Sequence, residues 1–209
     1  MISSEGQARA WLRTLPEVDA SARERLERLV GLLREENARQ NLVSIASLAE
    51  VWLRHVCDSA QLLRFVPRGT TPWLDLGTGA GFPGLVIAAL RPECEIVMVE
   101  SRARRADWLE RALSQLGLSK ARVLGSRLEV AQPLMAQVIS ARAFAPLPKL
   151  VALAERFSTS DTLWLLPKGR SAAQELDQLS GWSHMFHVEQ SLTDDQAGII
   201  VGTLAGRNT

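Results

Sequence analysis

Residues 74–84 read LDLGTGAGFPG, an apolar run that ends in four glycines within eight positions, Gly77, Gly79, Gly81 and Gly84. Glycines crowd in this way where the backbone must take positive φ or come close to another group. A buried strand, such a turn and then a helix form the opening unit of an open α/β sheet, whose ligands bind at the carboxyl ends of the strands. The sequence repeats the unit. Short apolar runs at WLDLG (73–77), EIVMVE (95–100), ARVLGS (121–126), QVISARA (137–143) and TLWLLPKG (162–169) alternate with helical stretches at Pro83–Leu90, Arg102–Leu116 and Pro148–Phe157. That alternation predicts a mostly parallel sheet covered on both faces. Beyond a short helix at Ser171–Leu179, SHMFHVEQSL and GIIVGTLAG are joined only by TDDQAG. A parallel crossover needs a dozen or more residues, so this last pair is expected to run antiparallel.

The first seventy residues read as helical. Between Ala22 and Gln40, Leu26, Leu29, Val30 and Leu33 recur at helical spacing. Ser47 is expected to cap a second long helix with Leu48, Val51, Trp52, Val56, Leu62 and Leu63 on its apolar face. The chain therefore divides into a helical extension, residues 1–70, packed on a core at 71–209, together one compact unit. With 46% hydrophobic residues in 209, a large core can be buried. No apolar run approaches the ~20 residues of a membrane span. MISSEGQARAWLR lacks a signal-peptide hydrophobic region, and Cys57 and Cys94 suggest neither a metal cluster nor a disulfide framework. A soluble, cytoplasmic monomer without membrane contact is expected. His184 and His187, as H-x-x-H in a strand, point to opposite faces, so no metal is expected there.

The glycine loop allows two ligand classes. Gly79, Gly81 and Gly84 fit G-x-G-x-x-G, which a nicotinamide or flavin dinucleotide would use. Asp75 followed by Gly77-x-Gly79-x-Gly81 instead resembles the first motif of the methyltransferase fold, which binds S-adenosylmethionine. Glu100 ends the next strand, placed to accept both ribose hydroxyls of either ligand. The closing antiparallel pair favours S-adenosylmethionine, because the usual dinucleotide domain lacks it. The fold class expected is thus α/β, a Rossmann-like class I methyltransferase with a mostly parallel seven-stranded sheet and a C-terminal antiparallel hairpin.

Net charge hides an asymmetry. Residues 101–170 carry twelve Lys/Arg against five Asp/Glu, while the remainder carries twelve against eighteen, so +7 and −6 give the overall +1. A basic central third could face a polyanion or be an ordinary solvated helix face. Its members Arg102, Arg104, Arg105 and Arg111, with Lys120, Arg122 and Arg127 beyond, are the candidates to meet such a polyanion. Tyrosine is absent and the six Trp read as core, so no aromatic base-stacking platform is offered.

Further marks narrow the reading. Asn41-Leu42 with Ser44-Ile45, Arg54-His55 with Asp58-Ser59, DLGTGAGFPG, SRARRADWL, Ser126-Arg127-Leu128-Glu129, ARAFAPL and LPKG together resemble the bacterial 16S ribosomal RNA guanine-N7 methyltransferases, also called glucose-inhibited division protein B. The chain departs from the family pattern at Ala136-Gln137, at Ala141 and at Glu100, where Asp is more usual. The resemblance implies methylation of 16S ribosomal RNA, as free RNA or in the small subunit, at N7 of guanine 527. It also implies cofactor contacts at Gly77, Phe82, Leu128, Glu129 and Arg142; Gly79 of the same glycine motif and Glu100, for the ribose, join them. Arg142 and Lys168, after the fourth and fifth strands, would hold the cofactor carboxylate, target phosphates or guanine O6, and His55 falls in with Arg54 and Asp58 at helical spacing.

The chemistry fits by omission. N7 has a free lone pair and loses no proton, so alignment and charge management suffice and no general base is required. ARAFAPLPK stands where an exocyclic-amine methyltransferase would show an Asn/Asp-Pro-Pro-aromatic motif, and neither cysteine occupies a nucleophile's place. A same-fold methyltransferase with another acceptor, a non-catalytic RNA-binding factor and a nicotinamide-dependent oxidoreductase stay open on sequence alone.

Overall fold

The computed structural model describes residues 1–208. Strands β1 (Trp73–Leu76), β2 (Ile96–Val99), β3 (Ala121–Leu124), β4 (Val138–Ala141) and β5 (Leu163–Gly169) run parallel in the order β3-β2-β1-β4-β5. The chain moves outward from β1 to β3 and then returns to the other side of β1. The resulting reversal opens a crevice at the carboxyl ends of β1 and β4, where such sheets bind ligands. Alternation within each strand divides the core. Trp73, Ile96, Met98 and Val138 face one side, whereas Leu74, Leu76, Val97, Val99 and Ile139 face the other.

The first face carries α5 (Gly84–Leu90) and α6 (Ala103–Leu116). Every residue of α5 is buried, because α2 (Ala20–Gln40) covers its outer side. GLVIAAL, apolar all round, is therefore a helix sandwiched between two layers. The arginines of the N-terminal helices serve this packing. Arg25 donates to the Ala89 carbonyl at 2.7 Å, Arg28 to that of Gln115 at 3.3 Å, and Arg9 pairs with Glu27. A buried ion pair, Arg91 to Glu17 at 2.9 Å, fastens the chain before α2 to the end of α5. On the opposite face lie α7 (Leu147–Ala154) and α8 (Ala172–Asp177).

Two expectations need correction. Ser47 does not cap a long helix. Ser44 caps a short one, α3 (Ile45–Ala49), by accepting from Ser47 N, and Glu50 breaks it at φ −110°. The apolar stripe then continues through a π-helical turn, Trp52–Cys57, into α4 (Asp58–Ala60). Such widened turns are frequent at functional sites, and this one presents Arg54 and His55.

The second correction concerns the penultimate strand, which is divided. The sequence reads SHMFHVEQSL (183–192) as one strand, but β6 (Trp182–His184) and β7 (His187–Gln190) pair antiparallel with separate halves of β8 (Gly198–Arg207), and β8 also pairs antiparallel with β5. The break faces Gly202, at φ +147°, where a Cβ would lie 2.4 Å from the Met185 carbonyl. Only glycine lets the interrupted strand press so close. Among the described residues eight strands thus occupy seven positions, and β8 is the one reversed member.

Candidate active site

Beneath the glycine loop lies Asp75, fully buried. Its Oδ1 accepts from Ser140 Oγ at 2.7 Å; Oδ2 accepts from Thr78 Oγ1 at 2.7 Å and Gly84 N at 3.0 Å. Trp73 Nε1 donates in turn to Ser140. The carboxyl group therefore ties β1 to β4 and to the start of α5. Burial pushes its pKa up to about 6, against the hydrogen bonds from Ser140, Thr78 and Gly84 that favour the charge. A Cβ at Gly84 would sit 2.8 Å from Asp75 Oδ2, so the fourth glycine serves close helix–strand packing.

Two cavities open above this foundation. The smaller, about 380 Å³, is lined by Gly77, Glu100, Arg102, Arg127, Leu128, Glu129 and Lys149. Glu100 is buried, and both of its oxygens hold the backbone: Oε2 accepts from Gly79 N at 2.9 Å and Oε1 from Arg102 N at 2.8 Å. The acid at the end of β2 thereby fixes the glycine loop as well as facing the cavity. Gly77 takes φ +61°.

The larger cavity, about 620 Å³, collects residues from distant parts of the chain: Arg54, His55 and Asp58 from the N-terminal extension, Arg142 after β4, Lys168 on β5, and Ser191, Thr193 and Asp194 before β8. Arg142 is clamped here. Its Nη1 donates to Asp58 Oδ2 at 3.0 Å and to the Arg54 carbonyl at 3.1 Å; Nη2 lies 3.1 Å from His55 Nδ1. Since a guanidinium only donates, Nδ1 accepts and the imidazole proton sits on Nε2, which finds no partner among the described residues. Burial, with Arg142 and Arg54 adding to it, depresses the His55 pKa to about 3, so the ring is neutral. Three of the five guanidinium N–H groups are committed, which leaves two for a ligand. Asp58 is held by Thr193 Oγ1 at 2.8 Å and Gln61 Nε2 at 2.9 Å.

Ala143, Phe144 and Ala145 line both cavities. Ala143 takes the left-handed conformation, φ +52°, and the Phe144 ring rests directly on Gly77: a Cβ there would lie 2.2 Å from Phe144 Cδ2. Phe144 thus stands between the cavities. Lys168, almost fully buried, donates to the Ala145 carbonyl and pairs with Glu175 at 2.9 Å; Glu175 also accepts from Leu147 N at 2.7 Å. Burial pushes the Glu175 carboxyl up, but the hydrogen bonds from Lys168, Ser171 and Leu147 outweigh it and hold the pKa below the usual value.

Of the residues singled out from sequence, Gly77, Glu100, Leu128 and Glu129 line the smaller cavity, and His55, Arg142 and Lys168 the larger. Phe82 lines neither. Its ring is buried in the core, stacked on His55 at 4.8 Å and lying 5.4 Å from the Arg142 guanidinium carbon, so it supports the clamp from below. Gly79 acts through its N–H to Glu100. Sequence reasoning passed over Phe144, Lys149, Glu175 and Thr193. ARAFAPL pointed at the loop that carries Phe144, but nothing local marks the other three. His184 stacks on Phe186 and His187 pairs with Glu189; no set of three or more His, Cys, Asp or Glu among the described residues could hold a metal.

The family model described as rRNA small subunit methyltransferase G matches residues 22–195. A protein named ribosomal RNA small subunit methyltransferase G from Erythrobacter litoralis is 57% identical over 97% of both chains. One of the same name from Novosphingobium aromaticivorans is 56% identical over 96% of this chain and 89% of its own. Among solved structures, a mutant of MtNAS in complex with S-adenosylmethionine matches 97% of this chain and 84% of its own, with a TM-score of 0.60 at 15% identity. A SAM-dependent methyltransferase from Aquifex aeolicus matches 70% and 89%, with a TM-score of 0.55 at 14% identity. The two structures establish the fold alone. Sequence identity across almost the whole chain establishes more: this protein belongs to the rRNA small subunit methyltransferase G family.

Proposed function

We propose that the protein transfers the methyl group of S-adenosylmethionine to N7 of a guanine in 16S ribosomal RNA by direct in-line displacement. The smaller cavity is the donor site. Gly77 and Glu100 lie at the carboxyl ends of β1 and β2, and Leu128 and Glu129, which follow β3 on the same cavity wall, would flank the adenine. The larger cavity is the acceptor site, wide enough for a base turned out of its strand.

What carries the reading is the acceptor cavity's lack of a free base. Its three cations are matched one for one: Arg142 with Asp58 at 3.0 Å, Lys168 with Glu175 at 2.9 Å, and Arg54 with Asp194 at 3.8 Å. His55 is neutral, but its acceptor nitrogen already takes the Arg142 N–H. Cys57 is buried, lines neither cavity, and has its thiol pushed up to about 12 by burial and by Asp58. Such a site suits a nucleophile that sheds no proton, as N7 does. Positive charge moves from sulfur to the purine during transfer, and a charge-balanced cavity does not oppose it. The two free N–H groups of Arg142 would hold guanine O6 or the donor carboxylate, leaving the N7 lone pair free. Lys168 and Glu175 fix the loop that separates the cavities.

The test is methylation of 16S ribosomal RNA in which guanine is replaced by 7-deazaguanine at the modified position. Labelled donor should methylate the normal RNA and leave the deaza RNA unmethylated. Equal labelling of both would refute N7 as the acceptor.

A further inference from the structure

The two cavities differ in electrostatic balance. Around the acceptor cavity every cation has its carboxylate. The donor cavity is lined by four cations, Arg102, Arg105, Arg127 and Lys149, against two carboxylates, Glu100 and Glu129. None of the four makes an ion pair among the described residues, and Arg102, Arg127 and Lys149 are exposed. Other basic residues of the central third are engaged elsewhere: Arg111 with Glu36, Arg122 with Glu95, and Arg104 with the Arg39 carbonyl. Among the described residues, four of the six partnerless Lys/Arg in 101–170 thus gather at one mouth, on three separate elements, the start of α6, the loop after β3, and α7, while Lys120 and Arg170 do not line it.

The donor cannot account for this charge. S-adenosylmethionine carries a sulfonium, an ammonium and one carboxylate, so it is itself a cation and has no phosphate. Four unpaired cations around a cationic ligand call for a second, polyanionic one.

We propose that the backbone of the substrate RNA runs across the mouth of the donor cavity, its phosphates held by Arg102, Arg105, Arg127 and Lys149, so that bound RNA covers the donor. This rests on the reading in the preceding subsection and adds a strand path to it. The consequence is kinetic: donor enters before RNA, and the spent cofactor leaves after it.

The experiment uses the full chain, S-adenosylhomocysteine as donor-site probe and 16S ribosomal RNA, so that no turnover is needed. The double variant Arg127→Gln, Lys149→Gln alters only exposed rim residues. In the wild type, RNA should slow S-adenosylhomocysteine release about tenfold. In the double variant, which keeps Arg102 and Arg105, the slowing should fall to about threefold or less, and the slope of log affinity for RNA against log salt should become shallower by about 1.4 to 1.8, the loss of two phosphate contacts. An unchanged slope in the variant, or wild-type probe release indifferent to RNA, overturns the proposal. So does equal slowing by millimolar inorganic phosphate, which would assign the cations to a small anion. A chain that methylates RNA yet gives any of those results keeps its activity and loses only this strand path. A chain without methylation would sink the function, and probe release would still decide the path.

Discussion

Replacing His55 by Gln should make the protein more resistant to acid, although it disturbs the clamp on Arg142. The reasoning is linkage. In the unfolded chain His55 binds a proton near its ordinary value of 6.5, whereas the folded site lowers that to about 3. Between those values the unfolded state holds the proton and the folded state does not, so acidification favours unfolding. From about pH 7.5 to about pH 5 the loss comes to ~2 kcal/mol, one and a half pH units at ~1.36 kcal/mol each. Asp75 works in the opposite direction. Its pKa is raised from 3.8 to about 6, so the folded state takes up its proton first and gains ~1.4 kcal/mol over the same interval. Wild-type protein therefore feels the two largely cancelled. His55→Gln removes only the unfavourable member and leaves an amide oxygen that can still accept from Arg142. Urea unfolding at both pH values, for both proteins, isolates the effect, because Asp75, Glu36 and Glu175 are common to the pair and drop out of the difference. The stability of the variant relative to wild type should rise by ~2 kcal/mol on acidification. A relative stability that moves by less than about 0.5 kcal/mol would show that His55 is not held neutral by its surroundings.

Two further outcomes follow from named contacts. Phe144→Ala removes the ring that rests on Gly77, so calorimetry should find S-adenosylmethionine bound about fivefold tighter, as the covered form no longer competes with the open one; unchanged or weaker binding would mean that the ring does not obstruct the donor. Glu17→Ala strands the buried Arg91 guanidinium, which keeps only the Val66 and Pro67 carbonyls, and should cost about 3 kcal/mol in urea unfolding; a loss below about 1 kcal/mol would mean that water reaches the guanidinium and relieves the charge.

Periodicity and turn chemistry determined most of the architecture. Alternating apolar runs and helices gave the parallel strands, and the short TDDQAG link required an antiparallel end. LDLGTGAGFPG placed a tight glycine turn at the end of β1, since four glycines behind a buried strand call for positive φ or close approach. These are local properties, written in neighbouring residues. The π-helical turn at Trp52–Cys57 was not legible, because a helical stripe of Val51, Trp52 and Val56 looks the same whether the backbone makes α or π turns. Nor was the break at Met185, which answers to Gly202 on a partner strand.

Charge was legible as a surplus over 101–170 but not as a distribution between cavities. Which arginine finds a carboxylate depends on what folding brings alongside: Glu36 meets Arg111, and Asp58 meets Arg142 across eighty-four positions. Residue types, their spacing and their sum are fixed by the chain. Partnership, burial and the protonation that follows from them come only when distant segments share a low-dielectric space, where the same histidine or arginine acquires a different chemistry.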